Sequence, residues 1–193
     1  MAAVAALVLG LASSRTLAHR TATALPAYGR LPDFSLTDDR GEAITREMLA
    51  GSVWVADFIF TRCAGQCPLM SAQMSKLRQA LGDRPGLRFV SFSIDPSYDT
   101  PEILAAYAAR YGAAPDRWLF VTGAHDEMTA LAQQGFHLGL GEGGSPQEPI
   151  THSVRLVLVD QRGVIRGYYD ATEAEAMGRL QDDARRLLRQ GPS

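Results

Sequence analysis

Two cysteines, Cys63 and Cys67, stand three residues apart in the stretch "FTRCAGQCPLM", and they are the only cysteines of the 193-residue chain. Thiols so placed can staple the chain, move electrons or hold a metal. A staple contributes more as the loop it closes lengthens, and a bridge across three residues would constrain the unfolded chain little. Redox pairs of the common dithiol type are spaced C-x-x-C. The extra residue here, with Gly65 inside the motif, widens the loop so that both sulfurs can converge on a third atom. Thiolates are both redox nucleophiles and ligands for soft metals. The spacing favours the metal without closing the redox reading.

A metal would want a further ligand, and the chain has four histidines, His19, His125, His137 and His152. His19 falls in an N-terminal linker, His125 opens a predicted helix at the surface, and His137 in "GFHLGL" reads as part of an exposed strand face. His152, in "PITHSVRLVLV", directly precedes an apolar strand pattern and follows a Gly/Pro-rich loop, "LGEGGSPQEP", from which a side chain can be aimed at the cysteines. Two sulfurs and one imidazole suit monovalent copper, a soft ion content with few ligands; structural zinc asks for four protein ligands. Met70 and Met74 are soft donors too, but with Leu77 and Leu81 they recur at helical spacing and read as a core face.

The elements that must position these residues alternate between strand and helix patterns from about Tyr28 onward. "DFSLTDDRGEAIT" reads as a hairpin around an Asp-Asp-Arg-Gly turn. "SVWVADFIF" and "LRFVSFSID" are near-continuous apolar runs, as expected of central strands covered on both faces. A helix follows the cysteines, with Pro68 just inside its start and Gly82 at its end. "DTPEILAAYAARYG" opens a second helix, with Thr100 as candidate N-cap, Pro101 at the first helical position and Asp99 assigned to the same cap. "WLFVTG" predicts a third strand, "HDEMTALAQQG" another helix, "SVRLVLVDQRGVIRGYYD" a hairpin turning at Asp160–Gly163, and "TEAEAMGRLQDDARRLLRQ" an amphipathic last helix. Such units predict an α/β domain with a mostly parallel sheet, an antiparallel edge and helices on both faces. With the cysteines between the first core strand and its helix, that is a thioredoxin-like fold preceded by a β-hairpin. The helix start beside both sulfurs would favour anionic thiolates.

Residues 1–27 lie apart from this pattern. The apolar stretch Ala2–Ala12 is too short to cross a bilayer as a helix. It fits a signal peptide, with "TLA" (Thr16–Ala18) as a cleavage site, or a short membrane anchor. Residues 28–193 then form one exported domain, periplasmic or on the outer face of a bacterial cytoplasmic membrane. A formal net charge of −2 gives no electrostatic basis for binding nucleic acid.

Three blocks together resemble the Sco/SenC family of copper-binding assembly factors of cytochrome c oxidase: "FIFTRCAGQCP", "FSIDPSYDTPEILAAYAARYG" and "THSVRLVLVDQRGVI". The resemblance runs from about Leu31 to the last helix. It implies a thioredoxin-like domain that binds copper, as Cu(I) or also Cu(II), through Cys63, Cys67 and His152, with Asp95 supporting the site from behind or simply starting the Asp-Pro turn. It implies as partners the copper-site subunit of the oxidase or another copper client, and a copper donor protein. Departures include Ala64, where many members carry proline, and the Gly-rich loop before His152. A metallochaperone is therefore the leading expectation, more than an enzyme. The alternatives are a thiol–disulfide oxidoreductase in which Cys63 attacks and Cys67 resolves, and a peroxiredoxin-like peroxidase, against which the close cysteine pair and the distal histidine argue.

Overall fold

The structure, a computed structural model, describes residues 24–145 and 148–191, with the side chains of 140–152 outside that description. His19 and the predicted signal peptide or anchor therefore lie outside the described residues. Among those described, no helix is long and apolar enough to cross a membrane.

Ten strands and four α-helices follow in order: β1 (Gly29–Arg30), β2 (Ser35–Asp38), β3 (Ala43–Thr45), β4 (Val53–Ile59), α1 (Gln66–Leu81), β5 (Leu87–Ser93), α2 (Pro101–Arg110), β6 (Trp118–Thr122), α3 (His125–Ala130), β7 (Leu140–Ser145), β8 (Glu148–His152), β9 (Arg155–Val159), β10 (Val164–Asp170) and α4 (Ala174–Gln190). Eight strands form one sheet in the order β1-β10-β9-β4-β5-β6-β2-β3. Only the centre, β4-β5-β6, is parallel. Antiparallel strands flank it on both sides, β9 against β4 and β2 against β6. The sheet is thus less parallel than the βα alternation predicts. Both hairpins join it by tight turns, which need no crossover helix.

Every residue of β4 is buried, as the apolar run predicts. Its side chains alternate between two covered faces. On one, Phe58 stacks on Phe92 at 5.0 Å between ring centroids, and Phe136 meets both rings. Phe136 follows α3 by way of a wide π-type turn, Leu131–Gly135. On the other face, α1 buries Met70, Met74, Leu77 and Leu81 at helical spacing. There α2 lies beside α1, linked by Ser71 and the Tyr107 hydroxyl at 3.0 Å. α1 ends at Gly82, whose φ of 72° places it in the left-handed region a glycine enters without steric cost. α2 starts as predicted, with Thr100 Oγ1 accepting from the Ile103 N–H and Pro101 in the first turn.

Two expectations are corrected. The Gly/Pro stretch before His152 is not a loop: β7 and β8 pair there as a separate two-stranded ribbon. Glycines depress strand propensity, so local pattern hides a ribbon whose pairing is set by chain direction. His137 is exposed as expected but lies in no strand; it has a φ of 53°, a turn conformation between the π-type turn and β7.

Candidate metal centre

β4 delivers the chain to the cysteines. After Ile59 the backbone turns, with the Cys63 N–H donating to the Phe60 carbonyl at 3.2 Å, and α1 begins at Gln66. Gly65 is its N-cap and supplies no side-chain oxygen, so the first turn of the helix is left to other acceptors. Ala64, Gly65 and Gln66 are exposed, whereas Cys63 is 6% and Cys67 0% accessible. Both cysteines are free, and the Cys63 thiol is near enough to Cys67 to act on its acidity.

Burial pushes the Cys67 thiol well above its ordinary range, a backbone hydrogen bond at Phe60 pulls the other way, and the Cys63 thiol and the Asp57 carboxyl add to the rise. The anionic pair expected from the helix start is therefore corrected at Cys67. Desolvation of the sulfur outweighs the dipole, and the metal-free thiol keeps its proton at neutral pH. A soft cation that displaces that proton would find a preassembled two-sulfur corner.

His152 ends β8, its backbone paired with Leu140. Three residues on, β9 begins antiparallel to β4, with Ala56 opposite Val157 and Trp54 opposite Val159. The first residues of β9 therefore lie at the end of β4 from which the cysteine loop departs, and His152 precedes them. Its imidazole is outside the described side chains. Among the described residues no group of three or more His, Cys, Asp and Glu side chains gathers in a metal-binding arrangement. His125 lies exposed at the start of α3, 3.4 Å from the Asp126 carboxylate. Met70 and Met74 are fully buried packing residues, as their spacing predicts.

Asp95 is buried in the loop after β5. Its carboxylate accepts from Arg62 Nε at 2.6 Å and from Ser97 Oγ at 3.0 Å, and its backbone carbonyl accepts from the Tyr98 and Asp99 N–H groups. It thus builds the turn and also ties down the residue just before Cys63. The Arg62 guanidinium lies 5.1 Å from the centre of the Tyr98 ring, closing the strap.

Asp99 is not the helix cap predicted for it; Thr100 alone fills that place. The Asp99 carboxylate is fully buried and accepts from the Thr61 N–H at 3.1 Å, from the Thr61 hydroxyl and from Ser93 Oγ at 2.6 Å. Burial raises its pKa, and the Ser93 and Thr61 hydrogen bonds oppose the rise. Asp57, inside β4, is fully buried with neither oxygen in a hydrogen bond. The Ser91 hydroxyl, on the paired residue of β5, draws its acidity back a little without closing a bond. Burial pushes Asp57 up to about 7. Sequence reasoning passes over Thr61, Arg62 and Asp57, and gives Asp99 the wrong role. The one available signal was a charged residue in the otherwise apolar "SVWVADFIF".

Comparison with known proteins identifies the family and the fold. The family model described as SCO1/SenC matches residues 24–188. The chain is 33% identical over 150 residues to a SCO1 protein homolog of Bacillus subtilis, covering 77% of each chain. Its fold superimposes on BsSco, reported with a disulfide switch and described as a member of the Sco family of cytochrome c oxidase assembly proteins. The TM-score is 0.73 at 30% identity, with 83% of this chain and 94% of that one covered. ScoI of Bradyrhizobium japonicum, solved with copper bound, shares the fold at a TM-score of 0.69 and 21% identity, over 82% of this chain and 99% of that one. With a thioredoxin-like fold, a cysteine pair at the start of its first helix and a family match spanning nearly all described residues, the chain belongs to the SCO1/SenC family.

Proposed function

We propose that the protein binds copper as cargo through Cys63, Cys67 and His152 and passes it to a copper client, the copper-site subunit of cytochrome c oxidase. The observation that carries this reading is the pair of free, buried and neighbouring thiols at the edge of an exposed loop. Two sulfurs so held are softer than any oxygen or nitrogen set and suit monovalent copper over magnesium, while two sulfurs and one imidazole fall short of the four protein ligands of structural zinc. Loading must displace the Cys67 proton, so copper competes with protons at the site and affinity falls as pH falls. Exposure of Ala64–Gln66 leaves the loop open to a client's competing ligands. The relatives support the reading: one is described with oxidase assembly and another was solved with copper. Residues 1–27, as signal peptide or short anchor, would export the domain to the periplasm or the outer face of the cytoplasmic membrane.

A copper(I) titration of the reduced protein tests this. His152→Ala is expected to weaken binding at least about tenfold, the lower end for losing a metal-site group. Equal affinity in wild type and variant removes His152 from the ligand set, and no copper bound at one equivalent rejects the reading.

A second reading has its own support in the closeness of two free thiols. As a reductant, the pair would form the Cys63–Cys67 disulfide while a client disulfide opens to two thiols, with two electrons and two protons passing to the client. Turnover of a client disulfide by metal-free protein, unchanged in His152→Ala, would favour it.

A further inference from the structure

We infer that Asp99 and Thr61 form a buried clamp that positions the cysteine loop, an assignment that rests on the copper-binding reading above. Two rigid elements meet at this contact. On one side, β4 and β5 run in register as far as Ile59 and Ser93, and the Ile94 N–H still donates to the Ile59 carbonyl at 2.9 Å. Past that point β5 bends away into its loop, and the Thr61 N–H has no strand beside it. The Asp99 carboxylate supplies the missing acceptor, taking both the Thr61 N–H and the Thr61 hydroxyl.

On the other side, Asp99 is held by its own surroundings. Its N–H donates to the Asp95 carbonyl at 2.9 Å, its carboxylate receives Ser93 Oγ, and Thr100 beside it caps α2. The loop, α2 and the end of β4 are thereby joined through one carboxylate. Between Thr61 and the start of α1 at Gln66 the loop has little else to fix it. It has the turn at Cys63, the buried contact of the Cys63 thiol with Cys67, and the Arg62–Asp95 pair, whose guanidinium is half-exposed. The clamp therefore sets, together with the buried contact of the two thiols, where the Cys63 sulfur sits relative to Cys67. Asp99 and Thr61 are positioning residues that touch neither sulfur nor metal.

The test compares Thr61→Val, Thr61→Ser and Asp99→Asn with the wild type. One readout is the rate at which iodoacetamide alkylates Cys63 in the reduced, metal-free protein; a second is copper(I) affinity against a competing chelator. Thr61→Val and Asp99→Asn are expected to alkylate about tenfold faster, the factor for one hydrogen bond to a carboxylate. They should bind copper about tenfold more weakly. Thr61→Ser, which keeps the hydroxyl, should match wild type in both. Leu180→Ala, a core truncation in α4, serves as a control for general destabilisation. Wild-type alkylation in a folded Thr61→Val overturns the clamp, as does an equal acceleration in Leu180→Ala. If Asp99→Asn does not fold, the Thr61 pair decides. Should the wild type bind no copper through its cysteines, the functional reading falls while alkylation still judges the clamp.

Discussion

Two carboxylates, Asp57 and Asp99, are both fully removed from solvent, yet the chain treats them in opposite ways. Asp99 receives three hydrogen bonds from two side chains and one backbone group, and with them ties the end of β4 to the start of α2. Asp57 sits in the middle of β4 with neither oxygen bonded. Burial without donors makes a carboxyl hold its proton; burial with donors turns the same group into a structural tie. One region is organised around a satisfied charge, and the other carries an acid that folding works against.

The sharpest way to separate the two is by pH. Folded Asp57 ionises at about 7, against an ordinary value of 3.8. Between those values the folded chain keeps a proton that the unfolded chain has lost, so stability falls as pH rises, by up to about 4 kcal/mol, and stays low above the folded value. Asp57→Asn removes this slope. The gap in Tm between variant and wild type should widen in the variant's favour from about pH 5 to about pH 8. A constant gap would mean that water reaches the carboxyl.

Asp99→Ala should act in the other direction. It strands the Thr61 N–H and two hydroxyls, which costs about 3 kcal/mol. Urea unfolding reads this directly, and a loss under about 1 kcal/mol would mean that solvent replaces the carboxylate. The smallest effect belongs to the strap outside the clamp. Arg62 is 50% exposed, so Arg62→Ala should shift the urea midpoint far less than Asp99→Ala does, and less still in high salt. A loss as large as that of Asp99→Ala would move the anchor of the cysteine loop from the buried clamp to the surface pair.

The core was legible in the sequence because its signals are local. β4 and β5 are apolar runs, the buried face of α1 repeats at helical spacing, and Thr100 with Pro101 announces α2. The cysteine pair and its place before a helix could be read in the same way. What escaped depends on contacts between distant segments. Asp99 stands where a cap residue is common, and nothing nearby reveals that its partner lies 38 residues earlier. Asp57 was absorbed into an apolar run because one acid does not break a strand pattern. The thiol proton was misjudged because sequence displays the helix start and conceals the burial that overrides it. The β7–β8 ribbon was hidden by its glycines.

The sheet closes on very short borders, two residues of β1 on one side and three of β3 on the other. Each offers only a few backbone groups to an arriving strand, whereas an eight-stranded sheet with long free margins would template its own copies. Copies of this chain at high concentration thus have little opportunity to stack through the borders of this sheet into fibres.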